Sequence, residues 1–298
     1  MTQILDGKIV RDKIAQKLKT QISFSRENGT KLRSQPKLVI MQIGNLPQSN
    51  TYIAQKIKFS QKIDAIVDLQ RFPENVTQEN LKSKILNLNS DSNVHGIIVQ
   101  LPIPDHLDKD EIINTIDPLK DIDGHTSTNI KFLFEGKTAG FVPATTKGIL
   151  TLLDHYKIPI LGKHVVVIGR SSLVGKPTAL AFLNRNATVT VCHSKTKDLA
   201  GVTKTADILV VAAGKPRLIT KNHVKGGQVV IDVGINVLSG IIPEKPEPEP
   251  PSRKLVGDVD FDKVSKIVTA ISPVPGGVGP LAVASRFDNL LEAYGRQT

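Results

Sequence analysis

The sequence predicts an α/β protein whose second half contains a nucleotide-binding βαβ unit. Short β-rich apolar runs alternate with helical patterns along most of the chain, which is typical of parallel sheets flanked by helices. The segment from His164 to Ser194 reads as strand, glycine turn, helix and strand in about 30 residues, the size of such a unit. The length of 298 residues suits two domains.

The first half alternates regularly, which predicts a separate α/β domain with a parallel-leaning sheet. Its predicted elements are a helix at 8–28, a strand at 38–43, a helix at 50–63, a strand at 65–69, a helix at 78–88, a strand at 96–99 and a helix at 108–116. Ser49 is the predicted N-cap of the second helix, because a hydroxyl oxygen can accept from a first-turn N–H.

The second half begins near Pro143. Its predicted elements are a helix at 146–156, strands at 165–168, 187–192, 207–212, 228–233 and 256–259, and a final helix at 281–294. Pro177 lies in the first turn of the helix that follows the glycine turn, where a missing N–H costs little. Two proline-rich segments predict loops, a charged one at 243–251 and one with adjacent glycines at 271–280.

Composition and charge narrow the functional classes. One cysteine and no tryptophan exclude a disulfide framework and fit a reducing compartment. No apolar run approaches the roughly 20 residues of a bilayer span, and the N-terminus lacks an apolar signal core, so we expect a cytoplasmic protein without membrane partners. The net charge of +11 suits solubility or polyanionic small molecules. Nucleic acid is disfavoured because the basic residues are scattered and only 4% of residues are aromatic.

The glycine turn indicates anion binding. Gly169, Arg170, Ser171 and Gly175 lie between an apolar strand and a helix, where backbone N–H groups and the helix N-terminus can face a pyrophosphate. The spacing is G-x-S-x-x-x-G, with Ser171 where the dinucleotide fingerprint has its second glycine. A merely structural turn is the alternative.

The end of the following strand favours NADP over NAD. A cofactor without the 2′-phosphate usually meets an Asp or Glu there. This strand ends at Cys192-His193-Ser194-Lys195, which contains no acid. Arg170 and Ser194 supply a cation and a hydroxyl, which suit a phosphate monoester. An ordinary solvated turn containing Lys195 and Lys197 is the alternative.

Polar residues in the first half form further candidate sites. Tyr52 and Lys56 are four residues apart and share one face of the predicted helix. A solvated surface pair is the alternative, and a short-chain dehydrogenase is disfavoured because there the pair follows the nucleotide turn. Gln100 ends an apolar strand, where ligand groups gather in open α/β sheets, although a plain polar strand end fits equally well.

Two glycine-containing loops leave alternatives open. Asp121-Ile122-Asp123-Gly124 is not a calcium loop, because Leu119 and Ile130 stand where an EF-hand needs oxygen ligands. The segment is either a simple turn or a site where a carboxylate accepts hydrogen bonds from a ring with adjacent N–H donors. The loop at 275–280 is a binding loop or a hinge. The seven histidines show no metal-ligand spacing, so no metal is expected.

Together these segments resemble the bifunctional methylenetetrahydrofolate dehydrogenase/methenyltetrahydrofolate cyclohydrolase family over nearly the whole length. The motifs that carry the resemblance are ILDGK at 4–8, Ser49 with YIAQK at 52–56, VQLPIP at 99–104, KDIDG at 120–124, GRSSLVGKP at 169–177, ATVTVCHSKT at 187–196, DVGIN at 232–236, GDVDF at 257–261 and PVPGGVGP at 273–280. Their joint order is far more specific than a glycine loop.

The resemblance implies a catalytic folate-binding domain at 1–143 and a Rossmann NADP-binding domain at 144–272. It implies that 273–298 form a substrate loop and a C-terminal helix that packs on the first domain. The folate would lie in the cleft between the domains. A homodimer would join through the Rossmann domains.

The resemblance also implies roles for individual residues. Lys56 would be the central catalytic residue, oriented by Gln100, while Tyr52 would stack on the pterin and Asp123 would bind its N–H donors. Further substrate contacts would be Val99, Leu101, Pro275, Gly276, Gly277, Val278 and Gly279. The NADP contacts would be Gly169, Arg170, Ser171, Ser194 and Ile235, the last near the nicotinamide.

The implied chemistry is hydride transfer from 5,10-methylenetetrahydrofolate to NADP, then hydrolysis of the methenyl product to 10-formyltetrahydrofolate, in one-carbon and purine metabolism. The rival functions are a non-catalytic NADP sensor and a nucleic-acid-binding protein. The chain departs from the family at several positions. They are Ala144 and Thr146 in PATTKG, where PCTPKG is usual; His125 after DIDG; and Ala282 in GPLAVASRF at 279–287, where GPMTVAMLL is usual.

Overall fold

The computed structural model describes residues 1–27, 35–238 and 254–297. Contacts within the chain define two compact units. The N-terminal unit comprises Arg11–Gly148 and Ala282–Thr298, and the central unit comprises Met1–Val10 and Ile149–Leu281. The predicted proline-rich loop at 243–251 lies outside the described residues.

Strands and helices alternate along both halves. The first half contains β1 at Gln3–Ile4, α1 at Gly7–Glu27, β2 at Lys37–Ile43, α2 at Pro47–Lys62, β3 at Ile66–Phe72, α3 at Gln78–Ser90, β4 at Gly96–Val99, α4 at Lys109–Asn114, α5 at Ser127–Phe134 and α6 at Ala144–His155. The second half contains β5 at His164–Ile168, α7 at Gly175–Asn184, β6 at Thr188–Cys192, α8 at Leu199–Thr205, β7 at Ile208–Val211, a 3-10 helix at Lys221–His223, β8 at Val229–Asp232, β9 at Asn236–Leu238, β10 at Lys254–Val256, α9 at Phe261–Val264, β11 at Ala270–Ile271 and α10 at Val278–Gln297.

The N-terminal unit is built on a parallel sheet of order β3-β2-β4. Successive residues of β2 alternate between two apolar cores, as the period of a strand requires. Leu38 and Ile40 pack with residues of α1, α2 and α10, whereas Val39 and Met41 pack with residues of α3 and α4. The C-terminal helix therefore contributes to the core of this unit, which confirms its predicted packing on the first domain.

The central unit contains a parallel sheet of order β1-β11-β8-β7-β5-β6. Its inner strands are continuous apolar runs, such as Ile208–Val211, which are buried because helices cover both faces of parallel sheets. A separate antiparallel pair joins β9 to β10. The predicted α/β class with a parallel nucleotide-binding sheet is confirmed.

Two local predictions differ from the structure. Helix α2 begins at Pro47 after Leu46, because proline needs no N–H partner in a first turn, so Ser49 lies inside the helix rather than capping it. The strand predicted at 256–259 ends at Val256. Beyond it, Val259 forms only an isolated bridge with Ile219, and the backbone N–H groups of Asp258 and Val259 donate to the Asp232 carboxylate.

The prediction also missed several short elements, among them α5, α8, β1 and β11. Helix α5 has eight residues and is capped by Thr126, whose hydroxyl accepts from the N–H of Asn129. Segments this short carry little periodicity, so tertiary packing decides their structure. Among the described residues, none of the helices combines the length and apolarity that a bilayer crossing requires.

Candidate active site

Helix α2 carries the Tyr52 and Lys56 pair of the N-terminal unit. Four residues separate them, so they lie one turn apart on the same helix, as predicted. Tyr52 is 38% exposed, whereas Lys56 is only 3% exposed. A lysine this buried is rare on a solvated helix face, which argues against the surface-pair interpretation.

Gln100 holds the amine of Lys56. Lys56 Nζ donates a 2.6 Å hydrogen bond to Gln100 Oε1. Gln100 Nε2 donates to the carbonyl of Leu101 at 2.7 Å, so the amide oxygen faces the lysine. The backbone N–H of Gln100 donates to Met41 O, which fixes Gln100 directly after β4 at the carboxyl end of the sheet. The strand end therefore positions a neutral acceptor for a buried amine.

The environment of Lys56 favours its neutral form. Burial is the main cause, the positive charge of Arg286 adds to it, and the negative charge of Asp123 opposes both. Together they lower the pKa of Lys56 to about 7. An amine with this pKa is partly unprotonated near neutral pH and can accept a proton.

Asp123 contacts a residue that the sequence interpretation missed. Arg286 of α10 donates from Nε to Asp123 Oδ1 at 2.5 Å, and the two side chains are 18% and 15% exposed. Burial opposes ionisation of Asp123, but the charges of Arg286, His125 and Lys56 outweigh it, so the pKa of Asp123 lies below its ordinary value. The sequence did offer one indication, because Arg286 is the one charged residue of the mainly apolar run Leu281–Phe287, within the segment that departs from the family pattern.

The other aspartate of this segment, Asp121, shapes the loop. Its carboxylate accepts from the backbone N–H groups of Gly124 and Thr126 and from the side-chain amide of Asn129. Asp121 is also almost fully buried. Asp121 therefore organises the turn, and Asp123 is the carboxylate beside Lys56.

In the central unit, two glycines of the turn are required by close backbone contacts. Gly169 has a φ of +123°, and a Cβ there would lie 2.2 Å from the carbonyl oxygen of Ala212. A Cβ on Gly175, the first residue of α7, would lie 2.3 Å from the carbonyl oxygen of Gly169. The hydroxyl of Ser171 accepts from the N–H groups of Val174 and Gly175. The result is a tight turn at a helix N-terminus, with Arg170 and Ser171 exposed.

The turn after β6 is held by hydrogen bonds between side chains and backbone. The His193 N–H donates to Thr196 Oγ1, and the Lys195 N–H donates to His193 Nδ1. Ser194 is exposed between them. The nearest acid in the chain, Asp198, accepts from the Gly201 N–H as the cap of α8.

Two buried carboxylates hold the loops at the carboxyl ends of β7 and β8. Asp232 accepts from the N–H groups of Gly234, Asp258 and Val259. Asp258 accepts in turn from the N–H groups of Ala213 and Gly214 and from the Asn236 side chain. Burial raises the pKa of Asp232 to about 7, and the N–H donors limit this rise. Carboxyl ends of parallel strands are where open α/β sheets bind ligands.

The glycine and proline loop lies beside these strand ends. The Gly7 N–H donates to Gly276 O, and a Cβ on Gly7 would lie 1.8 Å from Gly277 O. A Cβ on Gly279 would lie 3.5 Å from the Cδ1 atom of Ile235. The central unit thus brings Ile235, which is predicted to contact the nicotinamide, next to the loop predicted to contact the substrate.

The predicted residues gather in two places, one in each unit. In the central unit, the glycine turn holds Gly169, Arg170 and Ser171, and Ile235 lies next to Gly279. The N-terminal unit joins Lys56, Gln100 and Asp123, with Val99 and Leu101 flanking Gln100. A cavity of about 650 Å³ in the same unit is lined elsewhere, by Gly44, Asn45, Arg71, Phe72, Pro73 and Glu74. The individual roles of the site residues stay predictions.

Family models match almost the entire chain. Residues 5–123 match the catalytic domain of tetrahydrofolate dehydrogenase/cyclohydrolase, and residues 143–298 match its NAD(P)-binding domain. A curated relative from Exiguobacterium sibiricum, named bifunctional protein FolD, is 44% identical over 293 residues, which cover 98% of this chain and 99% of that protein.

Solved structures give the same result. The crystal structure of the bifunctional enzyme FolD, methylenetetrahydrofolate dehydrogenase/cyclohydrolase, from Campylobacter jejuni is 41% identical, with full coverage of both chains and a TM-score of 0.93. The Trypanosoma brucei methylenetetrahydrofolate dehydrogenase-cyclohydrolase, solved with NADP cofactor and an inhibitor, is 34% identical with a TM-score of 0.91 and covers 99% of this chain and 98% of that chain.

Proposed function

The chain belongs to the tetrahydrofolate dehydrogenase/cyclohydrolase family, and from that premise we propose how its residues divide the two activities. The protein is a bifunctional enzyme of one-carbon folate metabolism. It oxidises 5,10-methylenetetrahydrofolate with NADP and then hydrolyses 5,10-methenyltetrahydrofolate to 10-formyltetrahydrofolate.

The central unit supplies the cofactor site. The glycine turn fits a pyrophosphate, because side-chain bulk is excluded at Gly169 and Gly175 and a helix N-terminus follows. Arg170 and Ser194 would bind the 2′-phosphate of NADP, and Ile235 would pack against the nicotinamide. When bound, NADP supplies the acceptor for a hydride from the substrate.

In the oxidation, the chain mainly binds and orients the substrate. Asp123 would accept hydrogen bonds from the ring N–H donors of the pterin, and the exposed ring of Tyr52 would stack on the pterin. Val99, Leu101 and the loop at 275–279 would complete the contacts. A C–H bond of the methylene bridge breaks with its electron pair, so rate depends on holding that carbon in reach of the acceptor.

In the hydrolysis, Lys56 acts as a base. The oxygen of a water molecule bonds to the bridge carbon while its proton passes to Lys56 Nζ. The bond from that carbon to N5 then breaks as the new hydroxyl loses its proton and becomes the formyl C=O, N5 gains a proton, and the formyl group stays on N10. Gln100 holds the amine in place and gives it a neutral hydrogen-bond partner. The single observation that carries this assignment is that the amine of Lys56 is buried and hydrogen-bonded to a neutral amide.

One coupled experiment tests the proposal. Purified protein is given 5,10-methylenetetrahydrofolate with NADP or with NAD, and methenyl formation and loss are followed by absorbance. We expect reduction of NADP in preference to NAD, followed by loss of the methenyl product. NADP binding without either reaction would support a non-catalytic sensor, and tight, salt-sensitive binding to random duplex would support the nucleic-acid alternative.

The proposal also includes the oligomeric state of the protein and its location in the cell. We propose a homodimer joined through the central units, working in the cytoplasm. The single cysteine fits a reducing compartment. Light scattering at several protein concentrations tests the dimer, and a monomer at all of them would contradict it.

A further inference from the structure

Arg286 brings a second positive charge to the surroundings of Lys56. Its Nε donates to Asp123 Oδ1, and its Nη1 donates to Ala282 O one turn earlier on α10. The helix is fixed nearby, because Asn289 Nδ2 donates to the carbonyls of Ile122 and Val142. Arg286 is therefore anchored through two of its guanidinium nitrogens, on a helix that is itself held by hydrogen bonds.

Lys56 and Arg286 are two cations beside one carboxylate. Asp123 interacts electrostatically with both, but its hydrogen bond is to Arg286. The Lys56 amine instead donates to the neutral amide of Gln100. A lysine paired directly with a buried carboxylate stays protonated, because the charged form gains the attraction. The observed pairing avoids that outcome.

We propose that Arg286 is a positioning residue that engages the Asp123 carboxylate and thereby leaves the Lys56 amine to Gln100. This inference rests on the proposed role of Lys56 as the base of the hydrolysis. Arg286 does not touch the reacting atoms. It acts through Asp123, whose anion it partly neutralises, and through its own charge on Lys56.

The charged groups around the amine come from three elements. Arg286 faces it from α10, Asp123 and His125 lie on the loop before α5, and Tyr52 lies one turn earlier on α2. Burial lowers the pKa of Lys56, Arg286 lowers it further, and Asp123 raises it. Removal of Arg286 removes a charge that lowers the pKa of Lys56. It also leaves Asp123, which raises that pKa, without its hydrogen-bond partner. Both changes favour protonated Lys56.

The test is the pH dependence of methenyltetrahydrofolate hydrolysis in charge-removing variants. Arg286→Met and Arg286→Gln should move the acidic limb of the kcat/KM profile to higher pH by about one unit, which means about a tenfold loss on that limb. Arg286→Lys keeps a cation and should keep the limb near its wild-type position. Arg296→Met removes another arginine from α10 that interacts with Glu292 and Ala139, and it should leave the profile unchanged.

The outcomes separate this inference from the proposed function. No hydrolysis by the wild-type protein would refute the function itself. Hydrolysis with coincident profiles for wild type, Arg286→Met and Arg286→Gln would refute the role of Arg286. If Arg286→Met does not fold, the comparison of Arg286→Gln with Arg286→Lys decides, and equal shifts in those two would also overturn the proposal. Circular dichroism and urea denaturation confirm folding in each case, because Arg286 belongs to the N-terminal unit and NADP binding reports only on the central unit.

Discussion

Lys56 Nζ and Gln100 Oε1 are joined by a 2.6 Å hydrogen bond between side chains that are both more than nine-tenths buried. The bond links a helix residue to a residue that follows a strand, so the fold places the donor and the acceptor independently. It also supplies a neutral partner for an amine whose pKa is lowered to about 7. The burial that lowers the pKa of Lys56, and so lets it accept a proton, also makes its charged form costly for the stability of the fold.

Replacing Lys56 with methionine should remove the hydrolysis and spare the cofactor site. Methionine fills a similar volume but accepts no proton, so we expect a loss of roughly 10²- to 10⁴-fold in the rate of methenyltetrahydrofolate hydrolysis. NADP affinity should stay within about twofold, because the predicted NADP contacts lie in the central unit. Stopped-flow absorbance and isothermal titration calorimetry measure the two quantities. Full hydrolysis by the variant refutes the role of Lys56.

The same substitution should stabilise the protein at low pH. The pKa of Lys56 falls from 10.5 to about 7 on folding, so between these values the unfolded chain binds the extra proton and stability rises with pH. Below pH 7 the amine is protonated in both states, and the full cost of burying the charge is present. We expect Lys56→Met to be more stable than wild type by on the order of 3 kcal/mol at low pH.

Urea denaturation across the pH range tests this linkage. The advantage of Lys56→Met should be largest below pH 7 and should shrink steadily toward pH 10. Lys58→Met, at an exposed position of the same helix, is the control and should give only a small difference. A constant advantage for Lys56→Met at all pH values would mean that its amine is not the cause.

The sequence predicted the residues of both clusters better than it predicted their electrostatics. Asp121 and Asp123 occupy the same DIDG motif, yet one organises a turn and the other faces Lys56, and only tertiary contacts distinguish them. Arg286 stands 163 residues from Asp123, so no local pattern could pair them. Long periodic helices and apolar strands were predictable because their own spacing specifies which face is buried.

Gly175→Ala should damage cofactor binding through the backbone. The added Cβ would lie 2.3 Å from Gly169 O and 2.8 Å from Arg170 N, so the turn must open. We expect NADP affinity to fall by at least about tenfold and hydrolysis of supplied methenyltetrahydrofolate to persist. Gly226→Ala is a matched control, because no atom lies within 4 Å of its Cβ. Equal NADP affinity in the two variants would contradict the proposal that the glycine turn binds the pyrophosphate.

Ser194→Asp should change the choice of cofactor. Ser194 is exposed after β6, where a carboxylate would accept from a ribose hydroxyl and repel a 2′-phosphate. We expect kcat/KM for NADP to fall by about tenfold or more while that for NAD rises. Asn222→Asp adds the same charge at another exposed position of the central unit and should change neither value. An unchanged NADP preference in Ser194→Asp would place the phosphate elsewhere.

Asp232→Asn should loosen the loops that surround Ile235. Both oxygens of the carboxylate are used, since Oδ1 accepts from the N–H groups of Gly234 and Asp258 and Oδ2 accepts from that of Val259. An asparagine presents an NH₂ group to at least one of these donors. A buried N–H without an acceptor costs about 1–3 kcal/mol, and the displaced loop should weaken NADP binding.

Urea denaturation from pH 5 to pH 8 measures this cost, and the loss in Asp232→Asn should shrink as the pH rises through about 7, because ionisation of a carboxyl whose pKa is raised destabilises the wild-type fold. Asp207→Asn is the matched control, because its exposed carboxylate accepts a single N–H from His164 and its replacement should cost less than about 1 kcal/mol. Asp232→Asn must then lose both stability and NADP affinity. Loss of stability with unchanged NADP affinity would separate the carboxylate from the cofactor site, and loss of neither would mean that the three hydrogen bonds do not hold the loops.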